Sequence, residues 1–137
     1  MSRILAVDYG TKRVGLALSD PTRTLAAGLP TLERRPKQPL PEAIARLVER
    51  HAVGEVLVGL PLEADGTVGE RARTVERFAE ALRARVSVPV TLVDERLSTV
   101  RAYELLRERG KRARAGKAHA DRVSAAILLQ DYLDARP

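Results

Sequence analysis

Residues 3–19 read RILAVDYGTKRVGLALS, and this stretch determines the first half of the fold. An apolar run stands on each side of a glycine-containing turn at residues 9–11. Short apolar runs separated by such a turn predict two antiparallel strands, at residues 3–8 and 12–19. A third strand is predicted at about residues 24–32. The chain therefore opens with an antiparallel meander of three strands.

Strands and helices alternate after the meander. Apolar runs predict two further strands, and helical spacing or helix-start signals predict the helices. The predicted strands are 55–59 and 90–94, and the predicted helices are about 41–51, about 69–85, from Ser98 or Thr99 to about 109, and about 117–134. Such alternation implies parallel pairing of the later strands. The predicted fold class is α/β: a five-stranded mixed sheet, three antiparallel strands and then two parallel ones, with flanking helices. This order suits a ribonuclease H-like fold.

The composition is that of one folded domain, residues 1–137. A hydrophobic content of 45% is enough for a buried core. The chain has no cysteine, which excludes disulfides and thiolate-ligated zinc and fits a reducing compartment. No apolar run approaches the roughly 18 residues of a membrane span. We therefore expect a cytoplasmic protein without a membrane partner.

The charge points to a polyanionic partner. There are 24 lysines and arginines against 18 aspartates and glutamates, a net charge of +6. Residues 107–117, called the basic segment below, contain six cations and one carboxylate. Such a run is often only a solvated helix end and loop. Its position just before a candidate metal ligand favours binding of a nucleic-acid backbone instead. The candidate contacts in it are Arg109, Lys111, Arg112, Arg114 and Lys117.

Three carboxylates stand at places where a nuclease site would need them. Asp8 ends the first strand, Glu95 follows the fifth, and Asp121 lies near the start of the last helix. The carboxyl ends of parallel strands share one edge of a sheet, where sites form. Carboxylates brought into contact there cannot all stay ionised without a cation. Mg²⁺, for which Mn²⁺ could substitute, is the cation that such ligands prefer.

Two details of these carboxylates have more than one interpretation. Adjacent strand residues point to opposite faces, so only one of Asp94 and Glu95 should face the site. Around Asp8, the phrase VDYGTKRVGLA at residues 7–17 allows a structural role, in which Gly10 makes a tight hairpin and Asp8 caps it. It also allows a functional role, in which the aspartate holds a metal and the glycine lets a phosphate approach the backbone closely. The phrase alone also looks like the first phosphate motif of actin-like and sugar-kinase ATPases.

Three further phrases carry a more specific resemblance. They are VGLPL with DGT within residues 58–67, DERLST at 94–99, and KAHAD followed by AAIL within 117–128. Together with the phrase at 7–17, in this order and across nearly the whole chain, they closely resemble the YqgF family, also called RuvX.

The resemblance implies a fold, an activity and a set of site residues. The family has a ribonuclease H-like fold related to the RuvC resolvase, and it is associated with Holliday junction resolution and with maturation of the 5′ end of 16S rRNA. Its acidic triad falls on Asp8, Glu95 and Asp121. The sequence departs from the family at His119, where a basic residue is common. The charge of this histidine would vary near neutral pH, and with it any phosphate contact.

The remaining candidates are cations that could contact phosphate. Lys12 lies in the first phrase, and Arg96 has the planar fork that suits phosphate oxygens, although a structural salt bridge is as good an explanation. Lys117 shares a helix face with Asp121, so it could neutralise the scissile phosphate or pair with that aspartate. The loop at 61–69 is predicted to be a substrate-facing lip or a plain turn.

We therefore expect a metal-dependent endonuclease, a hydrolase acting on phosphodiester bonds. In this hypothesis two Mg²⁺ ions about 4 Å apart bridge the triad and the scissile phosphate. Precursor 16S rRNA is the favoured substrate. The chain has only Phe78 and three tyrosines for stacking on bases, so specificity should come from RNA shape, the ribosomal particle or a processing factor.

Three alternatives remain open from the sequence. A Holliday junction resolvase acting on branched DNA would use the same residues, and its symmetric cleavage needs two active sites and hence a homodimer. A noncatalytic rRNA-binding assembly factor would bind RNA without cutting it. An actin-like ATP-binding module normally needs two such domains. Both a monomer and a homodimer are compatible with the sequence.

Overall fold

A computed structural model describes residues 2–95 and 116–135, with side chains described from residue 124 onward in the second range. The described residues form five strands and three helices. The strands are β1 (Arg3–Asp8), β2 (Arg13–Ser19), β3 (Ala26–Glu33), β4 (Val53–Leu60) and β5 (Val90–Asp94), and the helices are α1 (Leu40–Arg50), α2 (Glu70–Arg83) and α3 (Gly116–Ala135). The helix predicted from Ser98 or Thr99 to about 109 lies outside the described residues.

The strands form one sheet in the order β3-β2-β1-β4-β5. β1 and β3 each pair antiparallel with β2, whereas β4 pairs in parallel with both β1 and β5. This arrangement confirms the predicted mixed sheet. β4 is longer than the predicted 55–59 because its pairing with β1 already starts at Val53.

The alternation of side chains along β1 divides the core between the two faces of the sheet. Leu5 and Val7 are buried in a cluster with residues of α1 and α2. Ile4 and Ala6 are buried in a second cluster, which includes Leu129 of α3. α1 and α2 therefore cover one face of the sheet and α3 covers the other. Asp8, the next even-numbered residue of β1, belongs to the face that α3 covers.

Local sequence explains where α1 and α2 begin. Pro41 stands in the first turn of α1, where the missing N–H would have had no partner in the helix. α2 follows Gly69 and starts with Glu70, whose negative charge suits a helix N-terminus. Its buried residues recur at helical spacing and pack on the sheet; they are Ala72, Val75, Phe78, Ala79 and Leu82. None of the helices within the described residues is both long enough and apolar enough to span a membrane.

The sheet edge where β1, β4 and β5 begin, called the amino edge below, carries a network of paired polar groups. The Glu55 carboxylate accepts a hydrogen bond from the Tyr132 hydroxyl at 2.7 Å and from Thr91 Oγ1 at 3.4 Å. It also pairs with the Arg23 guanidinium at 3.3 Å. Gln130 joins α3 to the start of β3 and to the chain just before it, since its amide accepts from the Ala26 N–H and donates to the Thr24 carbonyl. The second half of α3 is thereby tied to the amino edge.

Candidate active site

Asp8 and Glu95 meet at the opposite edge of the sheet, called the carboxyl edge below, where β1, β4 and β5 end. β1 ends at Asp8, and Glu95 directly follows β5. The Glu95 N–H donates to the Leu60 carbonyl at 3.3 Å, which extends the ladder one residue beyond β5. The two side chains are joined by a hydrogen bond. The structure therefore brings together two of the three carboxylates that the sequence pointed out.

Gly59 makes this contact possible. β4 lies between β1 and β5, so the backbones of Asp8 and Glu95 are two strand spacings, roughly 10 Å, apart. The register of β1 and β4 pairs Val7 with Val58, and its extension by one residue puts Gly59 at the level of Asp8. A Cβ atom on Gly59 would overlap Glu95 Oε2 and lie 3.2 Å from Leu128 Cδ2. The Glu95 side chain thus reaches across β4 through space that only glycine leaves open.

Gly59 is a residue whose role in the site we did not predict from the sequence. A glycine inside an otherwise apolar strand is the signal that could have identified it, because such a glycine often marks a close approach by another group. The sequence contains that signal in the phrase VGLPL. The sequence does not indicate which side chain occupies the space beside this glycine.

Asp94 and Glu95 belong to opposite faces of the sheet, as the alternation of side chains along a strand requires. Val93 packs on the cluster beneath α3, whereas Leu92 packs on the cluster beneath α1 and α2. Asp94 is exposed and Glu95 is partly buried at Asp8. Of the two adjacent carboxylates, Glu95 is the one that contacts Asp8.

The surroundings of Glu95 disfavour its charge. Burial raises the pKa of the Glu95 carboxyl above its ordinary value, and the neighbouring charge of Asp94 acts in the same direction. The hydrogen bond with Asp8 and the positive charge of Arg71, in the first turn of α2, oppose that rise. Two carboxyls can share a hydrogen bond only when a proton lies between them. In the absence of a cation, the pair is therefore expected to hold a proton more tightly than an isolated glutamate.

The backbone of α3 leads towards this pair. Ala125 and Leu128 are buried, and Leu128 packs beside Gly59. Helical spacing puts position 121 on the face of Ala125 and Leu128, about 10 Å along the axis before Leu128. The side chain of Asp121 lies outside the described residues, as do those of Lys117 and His119. Five other predicted phosphate contacts, Arg96 and the basic-segment residues Arg109, Lys111, Arg112 and Arg114, also lie outside them.

Two other predicted features lie at or near the carboxyl edge. Lys12 is exposed just before β2 begins. The loop at 61–69 contains a turn, closed by a 2.9 Å hydrogen bond from the Glu63 N–H to the Thr67 carbonyl. Gly66 adopts a φ of 89°, and the Asp65 carboxylate accepts the Thr67 N–H at 3.0 Å. The plain turn is therefore present, and a substrate-facing role for it stays a prediction.

The paired carboxyls have the chemistry of a hard-cation site. They offer only oxygen donors, and a divalent cation between them would take the place of the shared proton. Within residues 2–95 and 124–135, no group of three or more His, Asp or Glu side chains is arranged to hold a metal. The pair fits a cation, and any third carboxylate must come from elsewhere in the chain.

Two solved structures with a similar arrangement of strands and helices are complexes with Holliday junctions. A complex of the fowlpox virus resolvase with Holliday junction DNA matches 96% of this chain and 97% of its own, with a TM-score of 0.61 and 12% identity. RuvC of Thermus thermophilus in complex with a Holliday junction matches 93% of this chain and 92% of its own, with a TM-score of 0.58 and 17% identity. The chain therefore has a RuvC-like ribonuclease H fold.

The sequence comparisons define the family. A family model described as "RuvX: Holliday junction resolvase" matches residues 2–135, and the chain belongs to this family. A relative from Chloroflexus aurantiacus is 45% identical over 133 residues, which cover 97% of this chain and 87% of the relative. A relative from Lachnospira eligens is 42% identical and covers 98% of each chain. Both relatives are named "Putative pre-16S rRNA nuclease".

Proposed function

We propose that this chain is a nuclease that hydrolyses phosphodiester bonds in precursor 16S rRNA, using a divalent cation held by Asp8 and Glu95. The observation that carries the proposal is the contact of these two carboxyls across Gly59 at the carboxyl edge. Like charges in contact are costly unless a proton or a cation joins them. Because Gly59 has no side chain, there is room for this contact. That such a costly contact is accommodated supports a functional role for the carboxyl pair.

The residues proposed to hold the cation are Asp8, Glu95 and Asp121. Asp8 and Glu95 supply oxygen ligands from two strands, and helical spacing favours position 121 as the source of a third. When bound, Mg²⁺ supplies an activated water and stabilises the leaving oxygen. The protein's part is to keep the carboxylates together, which Gly59 does by leaving the path across β4 free.

The proposed substrate rests on the relatives and on charge. The name shared by the two relatives above refers to a pre-16S rRNA nuclease, and a substrate of that kind implies a cytoplasmic site of action. Lys12 and the basic segment would hold the RNA backbone, which carries no sequence information. Recognition of the cleavage position would then come from RNA shape or from the precursor ribosomal particle.

Cleavage of two labelled substrates tests the proposal. A transcript with the 5′ leader of 16S rRNA and a four-way DNA junction are incubated separately with the protein, in Mg²⁺, in Mn²⁺ and in EDTA. We expect Mg²⁺-dependent cuts in the transcript, none in EDTA and none with Asp8→Asn. Binding of the transcript without any metal-dependent cut would identify an RNA-binding assembly factor instead.

Junction cleavage is the second candidate function. It is favoured by the similarity in fold to two resolvases bound to Holliday junctions. Symmetric cleavage of two strands requires two active sites, so a resolvase of this size should be a homodimer on the junction. Light scattering with and without the junction measures that state. Preferential cleavage of the junction by a dimer would replace precursor rRNA by branched DNA as the substrate.

A further inference from the structure

Five cations lie at the carboxyl edge where β2 begins and β3 ends, on the opposite side of β1 from β5. We call them the β2–β3 basic patch; they are Lys12, Arg13, Arg34, Arg35 and Lys37. The segments 10–13 and 33–38 contain these five cations and a single carboxylate, that of Glu33. All of the five except the half-buried Arg13 are exposed. The patch is separate in sequence from the basic segment at 107–117.

Strand pairing holds the patch next to the candidate site. Arg13 pairs with Glu33 in the β2–β3 register, and the Arg34 N–H donates to the Lys12 carbonyl at 3.0 Å. Since β2 runs antiparallel to β1, these residues lie at the end of the sheet where β1 reaches Asp8. The patch and the carboxyl pair therefore share one edge of the molecule.

Arg34 is held in place by neutral groups. Its Nη1 donates to the Tyr9 hydroxyl at 2.9 Å and to the Gly10 carbonyl at 3.4 Å. Its guanidinium carbon lies 5.0 Å from the centroid of the Tyr9 ring, within cation–π range, and that ring packs on Phe78 at 5.2 Å. Tyr9 directly follows Asp8 in the chain, and its ring packs on the cluster beneath α1 and α2, so this guanidinium lies at the same end of the sheet as the carboxyl pair but on the opposite face.

The charge of the patch is not neutralised within the part of the chain that the structure describes. The ion pairs there are Arg23–Glu55, Arg83–Glu80 and Arg85–Glu42, and none includes a residue of the patch. The Nε and Nη2 groups of Arg34 have no acceptor among the described residues. An anion could bind them without first breaking an ion pair. A preorganised arginine fork of this kind suits phosphate oxygens.

We propose that the β2–β3 basic patch binds the sugar–phosphate backbone of the RNA strand, on nucleotides beyond those at the bond to be cut. Arg34 is the fixed contact, and Lys12, Arg35 and Lys37 extend the contact along the strand. This inference rests on the proposed function and adds a second part of the substrate path. This part lies on the β2–β3 side of Asp8, whereas Glu95 lies on the β5 side. Contacts of this type hold the backbone without reading its sequence.

A matched pair of charge variants tests the patch. Arg34→Gln/Arg35→Gln removes two exposed charges from it, and Arg46→Gln/Arg50→Gln removes two exposed charges from α1. Arg50 is the last residue of α1, and the carbonyl of the next residue, His51, accepts a hydrogen bond from Arg3 at the amino edge. The dissociation constant of a labelled 20-nucleotide RNA is measured in EDTA from 50 to 300 mM KCl, after folding has been checked by circular dichroism.

The expected result is a change in salt dependence for the patch variant only. Each phosphate interaction removed should lower the slope of log affinity against log salt by about 0.7 and weaken binding roughly fivefold at 0.1 M salt, so this double variant should lose about 1.4 in slope and roughly 25-fold in affinity. Arg46→Gln/Arg50→Gln should keep the slope of the unaltered protein. Arg34→Lys should restore most of the slope that Arg34→Gln loses, because it keeps the charge.

The outcomes separate this proposal from the proposed function. If the unaltered protein binds and cuts RNA but both double variants have its slope, the patch proposal is overturned and the nuclease proposal stands. If the patch variant weakens binding of a DNA junction but not of RNA, the assignment to RNA is overturned. If the unaltered protein neither binds nor cuts RNA, both proposals are overturned.

Discussion

Glu55 and Glu95 are two partly buried glutamates at opposite edges of the same sheet, and their surroundings are opposite. At the amino edge, Glu55 is surrounded by donors: the Tyr132 and Thr91 hydroxyls and the Arg23 guanidinium. At the carboxyl edge, Glu95 contacts another carboxyl, and burial and Asp94 both raise its pKa. At the amino edge, hydrogen-bond donors and an arginine compensate the charge of Glu55. At the carboxyl edge, carboxyl groups lie close to one another.

The difference shows what each edge contributes. Paired polar groups at the amino edge hold α3 to β4 and to the start of β3, and they stabilise the fold. The carboxyl pair does the reverse, since a group held against its preferred ionisation lowers stability at neutral pH. Strained or unfavourable arrangements of this kind tend to occur at functional sites. Substitutions at the two edges should therefore have opposite consequences for stability and for activity.

The largest expected effect is the loss of cleavage when the proposed ligands are changed. Asp8→Asn, Glu95→Gln and Asp121→Asn should each reduce Mg²⁺-dependent cleavage by more than about 100-fold, since even the partners of metal ligands are worth 10- to 100-fold. Initial rates on the 16S leader transcript measure this, and circular dichroism checks that each variant is folded. Near-normal rates in two of the three variants would mean that the assigned site is wrong.

Gly59→Ala should have the next largest effect on activity. The added Cβ would overlap Glu95 Oε2, so the Glu95 carboxylate would have to move, and we expect it to move away from Asp8. We expect a loss of roughly 10- to 100-fold in cleavage rate, as for a group that positions a ligand. Because the overlapping atom is the end of a flexible side chain, the free energy of unfolding should change by less than about 1 kcal/mol.

Gly54→Ala is the matched control on the same strand. A Cβ on Gly54 would overlap Ser2 Oγ at the amino edge, so it crowds the molecule far from the carboxyl pair. This variant should lose stability but keep its cleavage rate. Equal losses of activity in the two variants would show that the effect of Gly59→Ala comes from general destabilisation.

Glu55→Ala should lower stability and leave catalysis unchanged. It removes a half-buried acceptor from Tyr132 and Arg23, which should cost about 1–3 kcal/mol in the free energy of unfolding. Urea denaturation measures the change. Glu80→Ala, which removes an exposed ion pair with Arg83 on α2, should change it by less than about 1 kcal/mol. A similar loss of unfolding free energy in both variants would mean that the network around Glu55 stabilises the fold no more than an exposed ion pair does.

The smallest expected effect is a gain in stability from Glu95→Gln without metal. Because the pKa of Glu95 is raised in the folded protein, its contribution to stability is present below the ordinary pKa and is lost as the pH rises through the raised value. Glutamine cannot lose a proton. In EDTA at pH 7 the variant should therefore unfold at a higher urea concentration than the unaltered protein.

The pH dependence of that gain distinguishes its cause. The advantage of Glu95→Gln should shrink as the pH falls towards 4, where the carboxyl of the unaltered protein is protonated. An advantage that is the same at all pH values would point to packing. A variant less stable than the unaltered protein at pH 7 would mean that the charge of Arg71 outweighs the burial of Glu95.

Much of the fold could be predicted from the sequence because local patterns determine it. The strands at 3–8 and 90–94 follow from apolar runs, and the buried stripe of α2 follows from helical spacing. The order of the elements then implies antiparallel pairing first and parallel pairing later, as observed. The length of β4 could not be predicted as well, because its first residues pair with β1 although they are not an alternating or continuous apolar run.

The details of the site depend on register, which the sequence pattern does not contain. That Asp8 and Glu95 belong to one edge follows from parallel pairing. That the Glu95 carboxyl crosses β4 depends on Gly59 lying beside Asp8, a pairing of residues about 50 positions apart. The stacking of Arg34 on Tyr9 likewise depends on the register between β2 and β3, which pairs Arg13 with Glu33. Contacts of this kind, between residues far apart in the sequence, could not be predicted from local sequence patterns.

The central position of β1 has a consequence for the order of events during protein synthesis. β1 leaves the ribosome first, and β2 can pair with it at once through a short turn. Its other edge stays unpaired until β4 has been made, and long-range parallel pairing is slow. Glu95 arrives later still. A nascent chain that ends before Glu95 thus lacks the carboxyl pair, so on the proposed mechanism it could not cut the RNA of the machinery that makes it.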